Sequence, residues 1–534
     1  MAEFVSLEEA VGRVKDDATL VVGGFSTYGS PEELIEGLQA RYAETGHPRN
    51  IMLISGIVPG DKTESHEPRK GYNVGLNRLQ ADGLLGGAMI GLADARAIGY
   101  KIQENRIAGY LIPMGVLVNL FRTTAGGSPG LLTKVGLGTF CDPRQDGCCG
   151  NDLARARGPI VELMTIDGEE YLLYKSYKPD VCFIRGTYAD EDGNVSVEGE
   201  VLIGAELEMA AATHNKGGVV IAQVGRMVRR GSIPLKDVRI HGKLVDYVVV
   251  AKKPENQTQS FLTDDYRPEL TGQVRSVLAA REPLKLDERK VIARRGAMEL
   301  EPGAVVNFGV GMPTGIASVA AEEGILESIT TTVESGHIGG VVLDGIFFPG
   351  TENAEAIYSQ PDLTNMYDGG LLDMAFLGAA EIDERGNVNV SKYAGRSGGP
   401  GGFIDITQNA KKVYFIEIFT AGKPKPEFAV ADGELKINRD GDSLKFVKEV
   451  QQITFSGEQA LKNGQEVTYI SERAVFRLTP GGLELTEIAP GVDLEKHVLG
   501  KMAFRPIISP NLRTMDPRIF HSGLMALGAR NTER

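Results

Sequence analysis

Nothing in the chain announces its chemistry through a metal or redox motif. The four cysteines, Cys141, Cys148, Cys149 and Cys182, contain no C-x-x-C spacing, and the seven histidines are scattered with no H-x-x-x-H pair. Adjacent Cys148-Cys149 in a glycine-flanked loop leaves metal or redox chemistry open, but the spacing favours ordinary thiols of a reducing cytosol. Long apolar runs are missing too: none approaches the ~20 residues needed to cross a bilayer. The acidic start, Met1-Ala2-Glu3-Phe4-Val5-Ser6-Leu7-Glu8-Glu9, lacks the apolar core of a signal peptide. Positive charge is in deficit, with a net charge of −14, so no global field draws nucleic acid or an anionic membrane. A local basic patch for a phosphorylated cofactor remains open. These absences predict a cytoplasmic protein without a structural metal, binding neither nucleic acid nor membrane.

What is abundant is glycine, 67 of 534 residues, or well above a typical ~7%. The excess falls in short loops between apolar runs and follows no G-X-Y period, which suits an α/β protein with many tight strand-to-helix turns. At 534 residues the chain is too long for one core and predicts two to four domains.

Compact apolar runs predict strands at Thr19-Leu20-Val21-Val22, Ile51 to Ser55, Gly109 to Pro113, Val181 to Ile184 and Gly218 to Ala222. Runs of this kind, bounded by glycines and charges, belong to parallel sheets covered by helices. After the first, Gly23-Gly24-Phe25-Ser26-Thr27-Tyr28-Gly29 is a loop and Ser30-Pro31-Glu32-Glu33 starts a helix, with Ser30 as cap and Glu33 as its capping-box partner. Leu34, Ile35 and Leu38 supply its buried face. The Gly126-Gly127-Ser128-Pro129-Gly130 loop lacks the Gly-Lys-Ser/Thr ending of a phosphate loop.

An internal repeat is the most informative feature. Asp180, Phe183, Asp190, Glu191, Gly193, Asn194 and Val195 recur as Asp373, Phe376, Asp383, Glu384, Gly386, Asn387 and Val388, in one register without a gap. Looser echoes join Val21-Val22 through Pro31 to Val305 through Pro313, and Gly218–Ala222 to Lys412–Ile416, in the same order in both halves. The reading is two homologous α/β domains: residues 1–255, a polar, proline-containing linker over 256–286, and residues 287–534.

One carboxylate stands out. Ile329-Thr330-Thr331-Thr332-Val333 reads as a strand running into Glu334-Ser335-Gly336, and a strand end followed by glycine holds a side chain stiffly while leaving it accessible. The competing reading is a surface Glu at a strand-to-loop junction. In the first half the matching region is expected near Ile112-Pro113-Met114-Gly115, which carries no acid.

Together these pieces resemble a family I CoA-transferase, of the propionate/acetate type in which two subunit-like halves are fused. The matching motifs are Gly23-Gly24-Phe25 with Gly29-Ser30-Pro31-Glu32, Val135 through Pro143, the Gly193-Asn194 and Gly386-Asn387 repeat, Glu334-Ser335-Gly336, Gly401-Gly402-Phe403-Ile404-Asp405, and Tyr469 through Phe476. The resemblance implies that Glu334 is a nucleophile and that Asn389 orients it. It places oxyanion donors at Val310 and Gly401, CoA contacts at Gly309, Gly311, Gly401 and Gly402, and an acyl site at Met114 and Ser30. Plain tight turns remain the competing reading for the glycine loops and for Asn389. Met114 stands where related first halves often read Pro-Gln-Gly, which makes that wall apolar.

The implied partners are an acyl-CoA and short-chain carboxylic acids, with CoA as substrate and covalent intermediate, no permanently bound cofactor and no metal. A homo-oligomer, dimer or tetramer, is implied as well. A carboxylate suits the role because a Glu with a reference pKa of ~4.3 is ionised at neutral pH without a base partner. An acyl-CoA hydrolase or a citrate-lyase-like transferase subunit on the same fold, and a non-catalytic sensor, are the alternatives.

Overall fold

A computed structural model of the chain describes residues 2–277, 283–393 and 395–528. The chain divides into two units. Unit one comprises Met1–Ser276, Glu334–Asn365 and Ala394–Asp405; unit two comprises Val277–Val333, Met366–Tyr393 and Ile406–Arg534. The units therefore do not coincide with the two halves expected from the sequence, since two later segments, one beginning at Glu334, return to unit one.

Unit one is built on eight strands: β1 (Glu3–Phe4), β2 (Thr19–Val22), β3 (Ile51–Ile57), β4 (Leu85–Leu92), β5 (Ala108–Leu111), β6 (Val181–Asp190), β7 (Val219–Val228) and β8 (Tyr247–Val250). They are parallel throughout, in the order β1-β8-β7-β6-β2-β3-β4-β5. The central strands do not alternate apolar with polar residues because both faces are covered: Leu20, Val21 and Val22 of β2 are all fully buried. Helix α1 (Glu32–Thr45) buries Leu34, Ile35 and Leu38, each contributing roughly 1.5–3 kcal/mol. Its start departs from the expected capping box. The helix begins at Glu32 without a side-chain cap from its own N-cap residue, and the Ser30 hydroxyl donates instead to Glu32 Oε1 at 2.6 Å. Gln223 of β7 supplies the cap, its Oε1 accepting from the N–H groups of Glu33 (2.8 Å) and Leu34 (3.3 Å). A tertiary partner has displaced the local one.

Unit two carries β9 (Val305–Phe308), β10 (Thr330–Thr332), β11 (Met374–Gly378), β12 (Lys412–Ile416), β13 (Glu466–Ile470), β14 (Ala474–Thr479), β15 (Gly482–Ile488) and β16 (Ile507–Thr514), in the order β10-β9-β11-β12-β13-β14-β15-β16. The first five are parallel to one another, and β14 pairs antiparallel with β13. The β8-β7-β6-β2-β3 run of unit one thus has its counterpart in β13-β12-β11-β9-β10.

The repeat reaches down to single hydrogen bonds. Asp180 accepts from Thr19 N–H at 2.9 Å, as Asp373 does from Val305 N–H at 2.9 Å. The Asp190 carboxylate accepts from the N–H groups of Asp192 and Asn194 and from Asn194 Nδ2; Asp383 does the same with Arg385, Asn387 and Asn387 Nδ2. Gly193 (φ 81°) and Gly386 (φ 77°) complete these turns.

Paired register also corrects one expectation. Thr19 lies opposite Met52 and Val305 opposite Thr330, so stepping along both strands brings Gly56, not the Met114 region, to the place of Glu334. The connection leading into that strand is longer in the first half, residues 23–50, than in the second, residues 309–329. The first half still offers no carboxylate at that place.

The expected linker is corrected as well. Its polar residues are drawn into unit one: Asn256 donates to Glu33 Oε2 (2.9 Å) and Glu36 Oε2 (2.8 Å), and Phe261 and Leu270 are buried. Residues 278–282 of that stretch lie outside the described residues. The Cys148-Cys149 loop lines the β5 edge, Leu111 N–H donating to Cys148 O at 2.9 Å, and all four cysteines are free and buried. No helix among the described residues is long and apolar enough to cross a membrane.

Replacing Asp383 by Ala strands three donors in a buried turn and should cost about 2–4 kcal/mol. Asp190→Ala should cost a similar amount in the twin turn. Urea-denaturation midpoints of both variants against wild type test this; unchanged midpoints would show that the repeated turn contributes nothing.

Candidate functional site

Glu334 enters unit one directly after the strand-forming run 329–333, in a turn two residues beyond β10. The segment then doubles back: His337–Ile338 pairs antiparallel with Ala356–Ile357, and Tyr358 N–H donates to Gly336 O at 2.8 Å. Gly336 has φ +123°, and a Cβ there would lie 2.1 Å from Tyr358 O. Only glycine fits that close an approach. Glu334 stands at one foot of this ribbon, and the helix Gln360–Asp368 begins at the other.

Buried polar contacts fasten the ribbon to the rest of unit one. His337 is fully buried, and its Nε2 lies 3.0 Å from the Val201 carbonyl. A carbonyl only accepts, so Nε2 carries the hydrogen and Nδ1 accepts from Ser335 Oγ at 3.0 Å. Burial pushes the His337 pKa down to about 4, partly offset by the bond to Val201, so the ring is neutral at physiological pH. Gln360 N–H donates to Ile203 O at 2.8 Å. Helix α2 (Met114–Ala125) grips the outgoing segment through Asn119 Nδ2 to Thr364 Oγ1 (3.2 Å) and Arg122 to Asp362 (2.8 Å).

The second returning segment forms the floor. Ala93 N–H donates to Gly398 O (2.9 Å), Gly401 N–H to Gly91 O (2.9 Å) and Met114 N–H to Gly401 O (2.8 Å). Gly115 N–H donates to Asp405 Oδ2 at 3.0 Å. Two of the N–H groups left without intrahelical partners at the start of α2 are thus satisfied by this segment. A Cβ on Gly402 would meet Glu334 Cγ at 3.1 Å, Met114 Cε at 3.3 Å and Glu334 Cδ at 3.5 Å. The missing side chain lets Glu334 and the Met114 methyl both pack close against the Gly402 backbone, where a Cβ would crowd them.

Met114 is fully buried and belongs to an apolar cluster with Phe25, Tyr28, Ile57, Val201 and Leu202. Asp405 is fully buried nearby. Burial pushes its pKa up to about 7; its backbone hydrogen bonds pull down and the Glu334 charge adds to the rise. Two neighbouring carboxyls do not share ionisation easily. Asp405 is the more deeply buried of the two, and burial favours its protonated form.

Of the residues singled out from sequence, Glu334, Met114, Gly401 and Gly402 meet in unit one. Ser30 is also in unit one, but its buried hydroxyl is committed to Glu32. Gly401 has φ +54° and its N–H is engaged by Gly91 O, so serving as an oxyanion donor would require giving up that bond. Gly309, Val310, Gly311 and Asn389 belong to unit two. There Gly309 N–H donates to Phe376 O at 2.8 Å, Val310 is 58% exposed and Gly311 has φ +94°.

Asn389 is fully buried, donating to Glu381 Oε2 (2.8 Å) and Lys392 O (2.5 Å) and accepting from the N–H groups of Ser391 and Lys392 (both 3.1 Å). This carboxamide is committed to its own turn, and orienting a carboxylate would break one of these bonds. Three residues of the site were not assigned from sequence: His337, Gln360 and Asp405. Asp405 closes the Gly401-to-Asp405 motif, and that was its only signal.

The family model for coenzyme A transferase matches residues 4–251 and 289–417. The chain is 44% identical over 530 residues to caffeate CoA-transferase of Acetobacterium woodii, covering 97% of this chain and 98% of that protein. It is 40% identical over 523 residues to the acetate CoA-transferase YdiF of Escherichia coli K12, covering 98% and 96%. The crystal structure of the YdiF acyl-CoA transferase apoenzyme from Escherichia coli O157:H7 superposes with a TM-score of 0.91 at 39% identity, covering 98% and 97%. The same enzyme solved as a thioester complex with CoA gives a TM-score of 0.90.

Because His337 is held neutral, the unfolded chain takes up its proton first as pH falls. Stability from this residue is complete above pH ~6.5 and is lost as pH drops toward 4, by about 3 kcal/mol in all. Asp405, raised to about 7, has the opposite slope, so the effect is read as a difference. His337→Gln should lose less stability than wild type between pH 6.5 and 4 in chemical denaturation. Parallel pH curves would refute the assignment.

Proposed function

The chain belongs to the coenzyme A transferase family, and from that premise we propose that it moves CoA from a short-chain acyl-CoA to a free short-chain carboxylic acid through a glutamyl-CoA thioester at Glu334. The observation that carries this reading is the place of Glu334 at the foot of the ribbon, in a turn beyond β10, where the lack of a side chain on Gly402 lets Glu334 Cγ and the Met114 methyl come within 3.1 and 3.3 Å of where a Cβ would stand. Asp405 supports it by holding a proton that Glu334 then need not hold. The relatives named for caffeate and acetate CoA transfer support the reaction class over nearly the whole chain.

The Glu334 carboxylate attacks the thioester carbonyl, forming a mixed anhydride and expelling CoA thiolate. The thiolate attacks the Glu334 carbonyl, and the first acid leaves as its carboxylate. A second carboxylate reverses the sequence, so the kinetics are ping-pong. One thioester is exchanged for another, and neither ATP nor a resident metal enters the balance. Each tetrahedral oxyanion needs fixed donors; the backbone N–H groups of Val310 and Gly401 are our candidates, Gly401 after release of Gly91. Contacts to the body of CoA, remote from the reacting atoms, offset the cost of the anhydride. We assign the enzyme to the cytoplasm and to a homo-oligomer.

Incubation with acetyl-CoA and no acceptor acid should leave CoA on the peptide containing Glu334, detected by mass spectrometry. Glu334→Ala should abolish the adduct and lower turnover by at least about four orders of magnitude while leaving the circular dichroism spectrum unchanged. Steady release of free CoA without an adduct would favour hydrolysis, and inertness to acyl-CoA a sensor.

A further inference from the structure

Met114 has a second partner whose position bears on which acids the site accepts. Gln360, from the other foot of the Glu334 ribbon, directs its Nε2 at Met114 Sδ, 2.9 Å away. Gln360 is 4% exposed, and its backbone N–H is held by Ile203 O. Its carboxamide has little room to move. Methionine is otherwise the most adaptable of apolar side chains, with three rotatable bonds and no branching. Met114 packs with Ile57, Val201 and Leu202, apolar contacts that by themselves do not fix which rotamer its methyl takes. A hydrogen bond to a thioether is weak, but choosing one rotamer of a flexible side chain needs only a small preference.

We propose that Gln360 sets the acyl specificity: by holding the Met114 thioether, it keeps the methyl beside Glu334 and closes the site to acids larger than short, unbranched aliphatic ones. Gln360 is a positioning residue and acts on substrate through Met114. The wall so formed is apolar, so acids bearing a second charge or a hydroxyl near the carboxyl gain nothing there. The substrate class is the two- to four-carbon unbranched monocarboxylates, against longer aliphatic or aryl-acrylic acids. This inference rests on the nucleophile reading of Glu334.

The test compares kcat/KM of the full-length enzyme for acetate, butyrate, hexanoate and 4-hydroxycinnamate with propionyl-CoA as donor, for wild type, Gln360→Met and Met114→Ala. Gln360→Met keeps the shape and removes the donor. Both variants should raise the hexanoate-to-acetate ratio by about tenfold or more, the scale on which a pocket reads added methylenes. CoA labelling of Glu334 is measured alongside. Variants that label at Glu334 but keep the wild-type ratio overturn the proposal, as does a wild type that prefers hexanoate or 4-hydroxycinnamate to acetate. A wild type that labels nowhere and transfers to no acid overturns the nucleophile reading itself, and this inference with it. Should one variant not fold, the other gives the same ratio.

Discussion

The first amide groups of helix α2 have no partners in their own helix, and the way they are satisfied governs the whole site. Met114 N–H finds the Gly401 carbonyl and Gly115 N–H finds the Asp405 carboxylate. Both acceptors come from a segment nearly three hundred residues later in the chain. These bonds fix the height of α2 against the glycine-rich floor, and with it the position of the Met114 side chain. An uncapped helix end at this depth would cost several kcal/mol in unsatisfied donors. The same segment also supplies Gly402, whose lack of a side chain lets Glu334 and Met114 pack close against its backbone.

A buried carboxyl at a helix N-terminus meets two opposed effects. The helix dipole and the backbone N–H groups favour its charged form, while burial and the neighbouring Glu334 disfavour it. Burial wins, and Asp405 titrates near neutrality. The consequence for Glu334 follows from simple electrostatics: a neutral neighbour costs it nothing, whereas a charged one would push its proton affinity up. The ribbon reaches a similar result at His337, where one neutral ring joins Ser335 on one side and Val201 on the other. His337 thus adds no charge beside Glu334 at neutral pH, whereas Asp405, titrating near 7, is partly ionised there.

The duplicated architecture was legible because the repeat is written in turn residues. Asp190, Gly193 and Asn194 and their partners Asp383, Gly386 and Asn387 are there for local backbone geometry, which a sequence displays directly. Glu334 was legible for a similar reason, as a strand end with glycine after it. Its counterpart in the first half was not. Gly56 lies in the run Ile54-Ser55-Gly56-Ile57, whose Ser-Gly pair echoes Ser335-Gly336 without the acid; an echo that short does not stand out, and paired register identifies the place. Gln360 reads from sequence as an ordinary helix start before Pro361, and its bond to Met114 spans 246 positions, beyond any local pattern. The capping of α1 failed to follow its sequence for the same reason: Ser30 and Glu33 form a plausible pair, and Gln223, far away, took their place. The linker misled through composition, since its polar residues are buried against partners such as Glu33 and Glu36.

The interleaving of the chain has a consequence for how the protein is made. Unit one cannot be completed when its first 276 residues have left the ribosome, because its ribbon begins at Glu334 and its floor ends at Asp405. Vectorial synthesis ordinarily lets an N-terminal domain fold alone and first. Here the nascent unit must wait with the α2 amides and the apolar surface around Met114 uncovered until the later segments arrive. A break in translation or a cut between residues 276 and 405 would therefore yield a fragment that contains all eight strands of the sheet and no completed site.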